Sequence, residues 1–228
     1  MSDKDKRNEQ LMKAIRAVHS MIENDDIEKH RQSQDHIGKL LGMEKQVVYE
    51  SVTVGEIPGE WVRPSHRHTD RHVILYCHGG GYFTGSLQYA RILTAKLAVN
   101  TGMDGFSFNY RLAPEHPWPA ALIDGEAVWD YLMYQGFGSR DIILAGDSAG
   151  GNLALTLTLK LKEEGRRLPL GLVLMSPWTD LTLSGKSHQS KADMDPVLNR
   201  PYLDKAVAYY AEGQDLQNPL ISPLFGDF

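Results

Sequence analysis

Cysteine is almost absent, with Cys77 alone among 228 residues. One thiol excludes an internal disulfide and fits a reducing compartment. Long apolar runs are missing too. No stretch of about 18 apolar residues occurs, so no membrane span is expected. The opening M-S-D-K-D-K-R-N-E-Q lacks the apolar centre of a secretory signal. Positive charge is not in excess: the net charge is −5 and dispersed, so no basic patch suggests a nucleic-acid partner. Metal-ligand spacing is equally thin. His66 and His68 form an H-x-H pair with His72 nearby, but no cysteine or further ligand spacing completes a metal set. These absences point to a cytoplasmic protein without metal or other cofactor. The 42% hydrophobic content, in a chain of this length, suits one globular domain with a large buried core.

Periodicity supplies the elements. Leu11, Ile15, Val18 and Ile22 recur at helical spacing and predict a helix over 8–23. A second, weaker helix is predicted over 26–42, with Ile37, Leu40 and Leu41 on its apolar side and Gly42 near its end. Val47 to Val54 and Glu60 to Val62 read as strands about a Gly55-Glu56 turn. His72 to Cys77, Gly105 to Tyr110, Ile142 to Ala145 and Leu170 to Ser176 are compact apolar strands of the buried parallel type. Helical stretches over 89–100, 120–135 and after residue 148 separate them. The alternation argues for an α/β fold, an open sheet with helices on both faces. One signal conflicts: Leu153, Leu155, Leu157, Leu159 and Leu161 alternate as in a strand. Leu153, Leu157 and Leu161 also share one helical face, and helix is the expectation, apolar over most of its girth and therefore buried.

The stretch D-I-I-L-A-G-D-S-A-G-G-N-L, residues 141–153, organises the rest. A strand that reverses into a helix within one or two residues brings the backbone at −2 and +2 of the tip nearly into collision. Only glycine fits there, and Gly146 and Gly150 flank Ser148 at that spacing. This is the nucleophile-elbow pattern G-x-S-x-G. By itself it recurs by chance in roughly one chain in ten of this length. A second motif makes it specific. His78-Gly79-Gly80-Gly81 follows a buried strand and precedes Tyr82-Phe83. A serine nucleophile needs N–H donors aimed at the oxyanion that it creates. Gly80 and Gly81, with Ala149 after the nucleophile, are the candidate donors.

With H-G-G-G at 78–81, Y-R-L-A-P-E-H-P-W-P-A-A at 110–121, G-D-S-A-G-G at 146–151 and S-P-W-T-D-L at 176–181, the chain resembles the hormone-sensitive-lipase-like (class IV) esterases of the α/β-hydrolase fold. The resemblance covers essentially the whole chain. It implies Ser148 as nucleophile, Gly80, Gly81 and Ala149 as oxyanion hole, and Asp147 as a structural acceptor beside the nucleophile. It implies cap segments at 1–45 and 183–212 around a core at 46–182, with 213–228 returning to that core. Tyr82, Phe83 and Trp178 are candidate substrate-pocket walls. The implied function is hydrolysis of short to medium acyl esters through an acyl-enzyme.

The sequence departs from the family after the fourth motif. The fold's order is Ser, then Asp, then His, but the only histidine after Ser148 is His188, expected in the cap and far from any triad position. Asp180, Asp193 and Asp195 are poor matches to the triad acid. The chain therefore reads as a truncated esterase, weak or inactive alone. In a truncated sheet the strand at 170–176 becomes an apolar edge, for which a second copy or a complementing chain is the expected cover. The competing readings are a non-catalytic small-molecule binder of the same fold and an amidase or deacetylase using the same groups.

Overall fold

The structure, a computed structural model, describes residues 3–22, 26–41, 44–67, 71–192, 194, 195 and 197–228. Gly42, His68 and Asp193, and the side chains of Val18 and Ile22, lie outside the described residues. Two helices come first, α1 (Asp3–Ile22) and α2 (Ile27–Leu41). An antiparallel hairpin follows, β1 (Val47–Val54) and β2 (Ile57–Pro64). Then come β3 (Val73–Cys77), α3 (Leu87–Thr101), β4 (Asp104–Phe108), α4 (Ala120–Tyr134), β5 (Ile142–Asp147), α5 (Ala149–Glu163) and β6 (Gly171–Met175). A short α6 (Ser187–Ser190) and α7 (Arg200–Ala211) complete the helices. Among the described residues no helix is long and apolar enough to cross a membrane.

The six strands lie in the order β1-β2-β4-β3-β5-β6. The last four are parallel, and β2 joins β4 antiparallel. Strand alternation divides the core between two faces. Val73, Leu75 and Cys77 of β3 pack with Leu144, Leu153 and Leu157 on the face carrying α4 and α5. Ile74 and Tyr76 pack with Ala90 of α3 on the other. This is the α/β-hydrolase arrangement.

Every residue of α5 from Ala149 to Leu159 is buried, so tertiary packing overrides the strand-like alternation of its leucines. One expectation needs correction. The packing face of α2 is formed by His30, Gln34 and Gly38, while Leu40 and Leu41 are exposed. Gly38 decides this: a Cβ there would lie 2.6 Å from the Gln88 carbonyl carbon, so the two helices approach through that point. The strand β6 lies at the edge of the sheet, as the sequence leads one to expect. It pairs only with β5 among the described residues, and Val173 is 42% exposed.

Candidate active site

In a parallel sheet, the chain runs from β3 outward to β4 and then returns to the other side of β3 as β5. The crevice above the carboxyl ends of β3 and β5 is thus a topological switch point, where loops diverge and leave room for a ligand. Cys77 of β3 stands opposite Gly146 of β5, so the glycine turn and the serine elbow leave adjacent strands at the same level.

Ser148 sits at the elbow with φ 50 and ψ −117. An L-residue is strained there, and only surrounding structure holds it. The Ser148 N–H donates to the Met175 carbonyl at 3.0 Å, and its own carbonyl accepts from Trp178 and Asn152. The two flanking glycines are required sterically. A Cβ on Gly146 would lie 2.5 Å from the Gly150 carbonyl carbon, and one on Gly150 would lie 2.5 Å from that of Cys77.

The glycine turn is built to point donors inward. Gly80 and Gly81 have φ of 119 and 62. The Gly80 carbonyl faces away, accepting from the N–H groups of Phe83 and Thr84 at 3.2 and 2.9 Å. Among the described residues, the N–H groups of Gly80, Gly81 and Ala149 have no hydrogen-bond partner. Asp147 ties the turn to the elbow. Its carboxylate accepts from the Gly79 N–H at 2.9 Å, the Tyr76 hydroxyl at 2.6 Å and the Tyr89 hydroxyl at 3.1 Å. Burial and that carboxylate push both tyrosines well above their ordinary ionisation range. His78 is buried, stacks on Tyr110 at 4.1 Å, and donates through Nδ1–H to the Gly79 carbonyl. Its burial pushes its pKa below the ordinary imidazole value, so it is a neutral brace of the turn.

Ser148, Gly80, Gly81 and Trp178 line one cavity of about 420 Å³. Tyr82 and Phe83 lie outside that lining. Positive φ at Tyr82 turns its ring into the core, where it stacks on Tyr210 at 3.7 Å and its hydroxyl donates to Asn152 Oδ1 at 2.6 Å. Phe83 packs edge-on against His30 and Tyr209. His188 lines the same cavity, as does Asp195. Asp180 is committed elsewhere, accepting from Thr182 and Ser184, which hold its carboxyl below the usual range.

Sequence reasoning missed the opposite wall of the cavity, formed by His19 of α1, His30 and Gln34 of α2, and Tyr202 of α7. It also missed Arg31, which binds α2 to the loop after the glycine turn and to the 110–121 loop. Its Nε donates to the Phe83 carbonyl at 2.8 Å and one terminal nitrogen to the Ala113 carbonyl at 2.9 Å. The guanidinium also clasps both oxygens of Glu115 at 2.8 and 2.9 Å and holds that carboxyl down at about 2. No local pattern marks these residues, because their partners lie more than fifty positions away.

A family model described as alpha/beta hydrolase fold matches residues 74–228. An esterase of the bacterial hormone-sensitive lipase family superposes with a TM-score of 0.89 at 32% identity, over 96% of this chain and 73% of that one. The chain belongs to the hormone-sensitive-lipase-like α/β-hydrolases. Within that family it is 34% identical to an acetyl-hydrolase of Streptomyces hygroscopicus over 218 residues, covering 96% of this chain and 72% of the relative. It is 37% identical to an esterase of Acinetobacter venetianus over 195 residues, spanning 63% of that protein's length. Relatives of this hydrolase family thus carry the names of carboxylic ester hydrolases.

Proposed function

We propose that the chain is a carboxylic ester hydrolase that binds short to medium acyl esters in the Ser148 cavity. The observation that carries this is a shared enclosure: a strained serine and the glycine turn, with the unpartnered N–H groups of Gly80 and Gly81, meet at one cavity. In the proposed reaction Ser148 Oγ attacks the ester carbonyl. The carbonyl oxygen gains negative charge and takes the N–H groups of Gly80, Gly81 and Ala149. The C–O bond to the alcohol breaks, the proton lost by the serine hydroxyl ends on the leaving alkoxide, and the acyl-enzyme that remains is hydrolysed by water to the acid and free serine. Segments 1–45 and 183–212 act as the cap, since His30, Gln34 and Leu203 line the wall facing the serine.

Among the described residues no acceptor is hydrogen-bonded to the Ser148 hydroxyl, so the chain alone should turn over slowly. The donors and binding contacts by themselves leave roughly a thousand- to ten-thousand-fold acceleration over water. A pure binder of the same fold would need neither the strained serine nor the free donors. Fluorophosphonate labelling tests the choice. Mass spectrometry should find the phosphonate on Ser148 and none on Ser148→Ala. An intact, folded chain that stays unlabelled refutes the hydrolase reading. Efficient turnover of a short-chain nitrophenyl ester by the 228-residue chain refutes the expectation of weak activity.

The unpaired β6 edge, with Val173 and Leu170 exposed, is proposed as a contact with a second copy or a complementing chain. Sedimentation at tens of micromolar should show self-association of the isolated chain. A stable monomer whose β6 amides exchange freely would refute it.

A further inference from the structure

Helix α2 buries three residues, His30, Gln34 and Gly38, one turn apart on a single face. Gly38 is there to let α3 approach, and the His30 ring packs at 5.8 Å from that of Phe83. Gln34 has no such structural partner. Its side chain lines the cavity that holds Ser148, Gly80 and Gly81. The residue is only 9% exposed, and its Oε1 is sealed from solvent with no hydrogen-bond partner among the described residues. An unmet buried carboxamide oxygen destabilises a fold. Leucine or methionine would fill the space without that penalty. The helix has no freedom to swing Gln34 into water, because Arg31, three positions earlier, is clamped to the Phe83 and Ala113 carbonyls.

We propose that Gln34 is a specificity-determining residue whose amide awaits a hydroxyl on the substrate. The preferred ester then carries a hydroxyl on its acyl or alcohol chain, in place of bare hydrocarbon. A hydroxyl both donates and accepts, so it can pair with whichever amide atom a turn of the side chain presents to the cavity. A neutral hydroxyl suits the apolar Leu198, Leu203 and Trp178 of the lining, and the Asp147 and Asp195 carboxylates in the same lining disfavour an anion. Selectivity arises because a plain alkyl ester leaves the buried amide unmet when it fills the cavity. This inference rests on the reading of the cavity as the ester site.

Equilibrium binding tests it without turnover. The Ser148→Ala chain is titrated with methyl hexanoate and with each positional methyl hydroxyhexanoate, and binding is read by ligand-observed NMR. At least one hydroxy ester should bind about tenfold tighter than the alkyl ester. That margin should vanish in the Ser148→Ala chain also carrying Gln34→Leu, and in a second one carrying Gln34→Met in case leucine disturbs the helix. Gln34→Leu should also melt no lower than its parent, because it removes an unmet polar group. A hydroxyl preference that survives both substitutions, or the absence of any preference, overturns the role of Gln34 while leaving the ester site intact. Failure of every ester to bind overturns both, and fluorophosphonate labelling of the unsubstituted chain then shows independently whether Ser148 is reactive.

Discussion

Arg31→Met should release α2 from the cavity without unfolding the sheet. The magnitude follows from its contacts. The pairing with Glu115 is worth at most about 1 kcal/mol, because the Glu115 side chain is 50% exposed and water screens it. The two bonds to the carbonyls of Phe83 and Ala113 are charge-assisted and partly buried, and contribute about 1.5 kcal/mol each at the low end of such interactions. The guanidinium as a whole therefore holds α2 down by about 3–4 kcal/mol. Against this, α2 buries only three residues of its own, one of them glycine. Loss of the clamp should lift the helix locally, in the manner of a low-stability unit. Hydrogen exchange is the assay. Amides of 27–41 should exchange roughly two to three powers of ten faster in Arg31→Met, while those of β3 and β5 stay unchanged. Arg31→Lys, which keeps the charge but loses the fork, should fall between. The carboxyl of Glu115 is held down at about 2, below its ordinary 4.5. Its share of the clamp is therefore fully present above about pH 4.5 and is lost as pH falls through about 2. Unchanged protection of α2 in Arg31→Met would refute the reasoning. So would an equal acceleration in β3 and β5, which would make Arg31 a support of the whole domain.

Ser148→Gly should abolish phosphonate labelling and yet raise the melting temperature by about 2–4 °C, because glycine accepts the φ of 50 that strains serine by about 1 kcal/mol or more. Thermal denaturation beside Ser148→Ala checks it, since alanine keeps the strain. Gly150→Ala should cost more than about 3 kcal/mol, because its Cβ meets the Cys77 and His78 carbonyls and neither strand nor helix can yield. The denaturant midpoint measures that loss. His78 is kept neutral by burial, below its ordinary pKa of 6.5. The unfolded chain then binds a proton that the folded one refuses, so stability is full above about pH 6.5 and declines as pH falls below it. Nitrogen NMR of the His78 ring should show mainly the Nδ1–H neutral form at pH 6.5, where a free imidazole is half charged, and a mainly charged ring there would contradict the assignment.

Which parts of this protein its sequence determined alone follows from the range of the forces involved. The elbow was legible because the conflict between Gly146 and Gly150 lies within five residues, although the Cys77 and His78 carbonyls of the neighbouring strand end press on Gly150 as well. The triple-glycine turn was legible for the same reason, and the parallel strands followed from unbroken apolar runs such as Val73 to Cys77. The aromatic pair beside the turn was ambiguous. A residue next to a tight turn can face either way, and the positive φ of Tyr82, with the stacking of Tyr210 upon it, decided for the core. The far wall was illegible. Gln34 looks like any polar helical residue, His188 like a cap residue, and Leu40 and Leu41 look better suited to burial than Gly38. Their places depend on contacts between segments dozens of residues apart, such as Arg31 with Ala113 and Gly38 with Gln88. Short-range sterics wrote the floor of the cavity into the chain, and long-range packing alone chose what hangs above it.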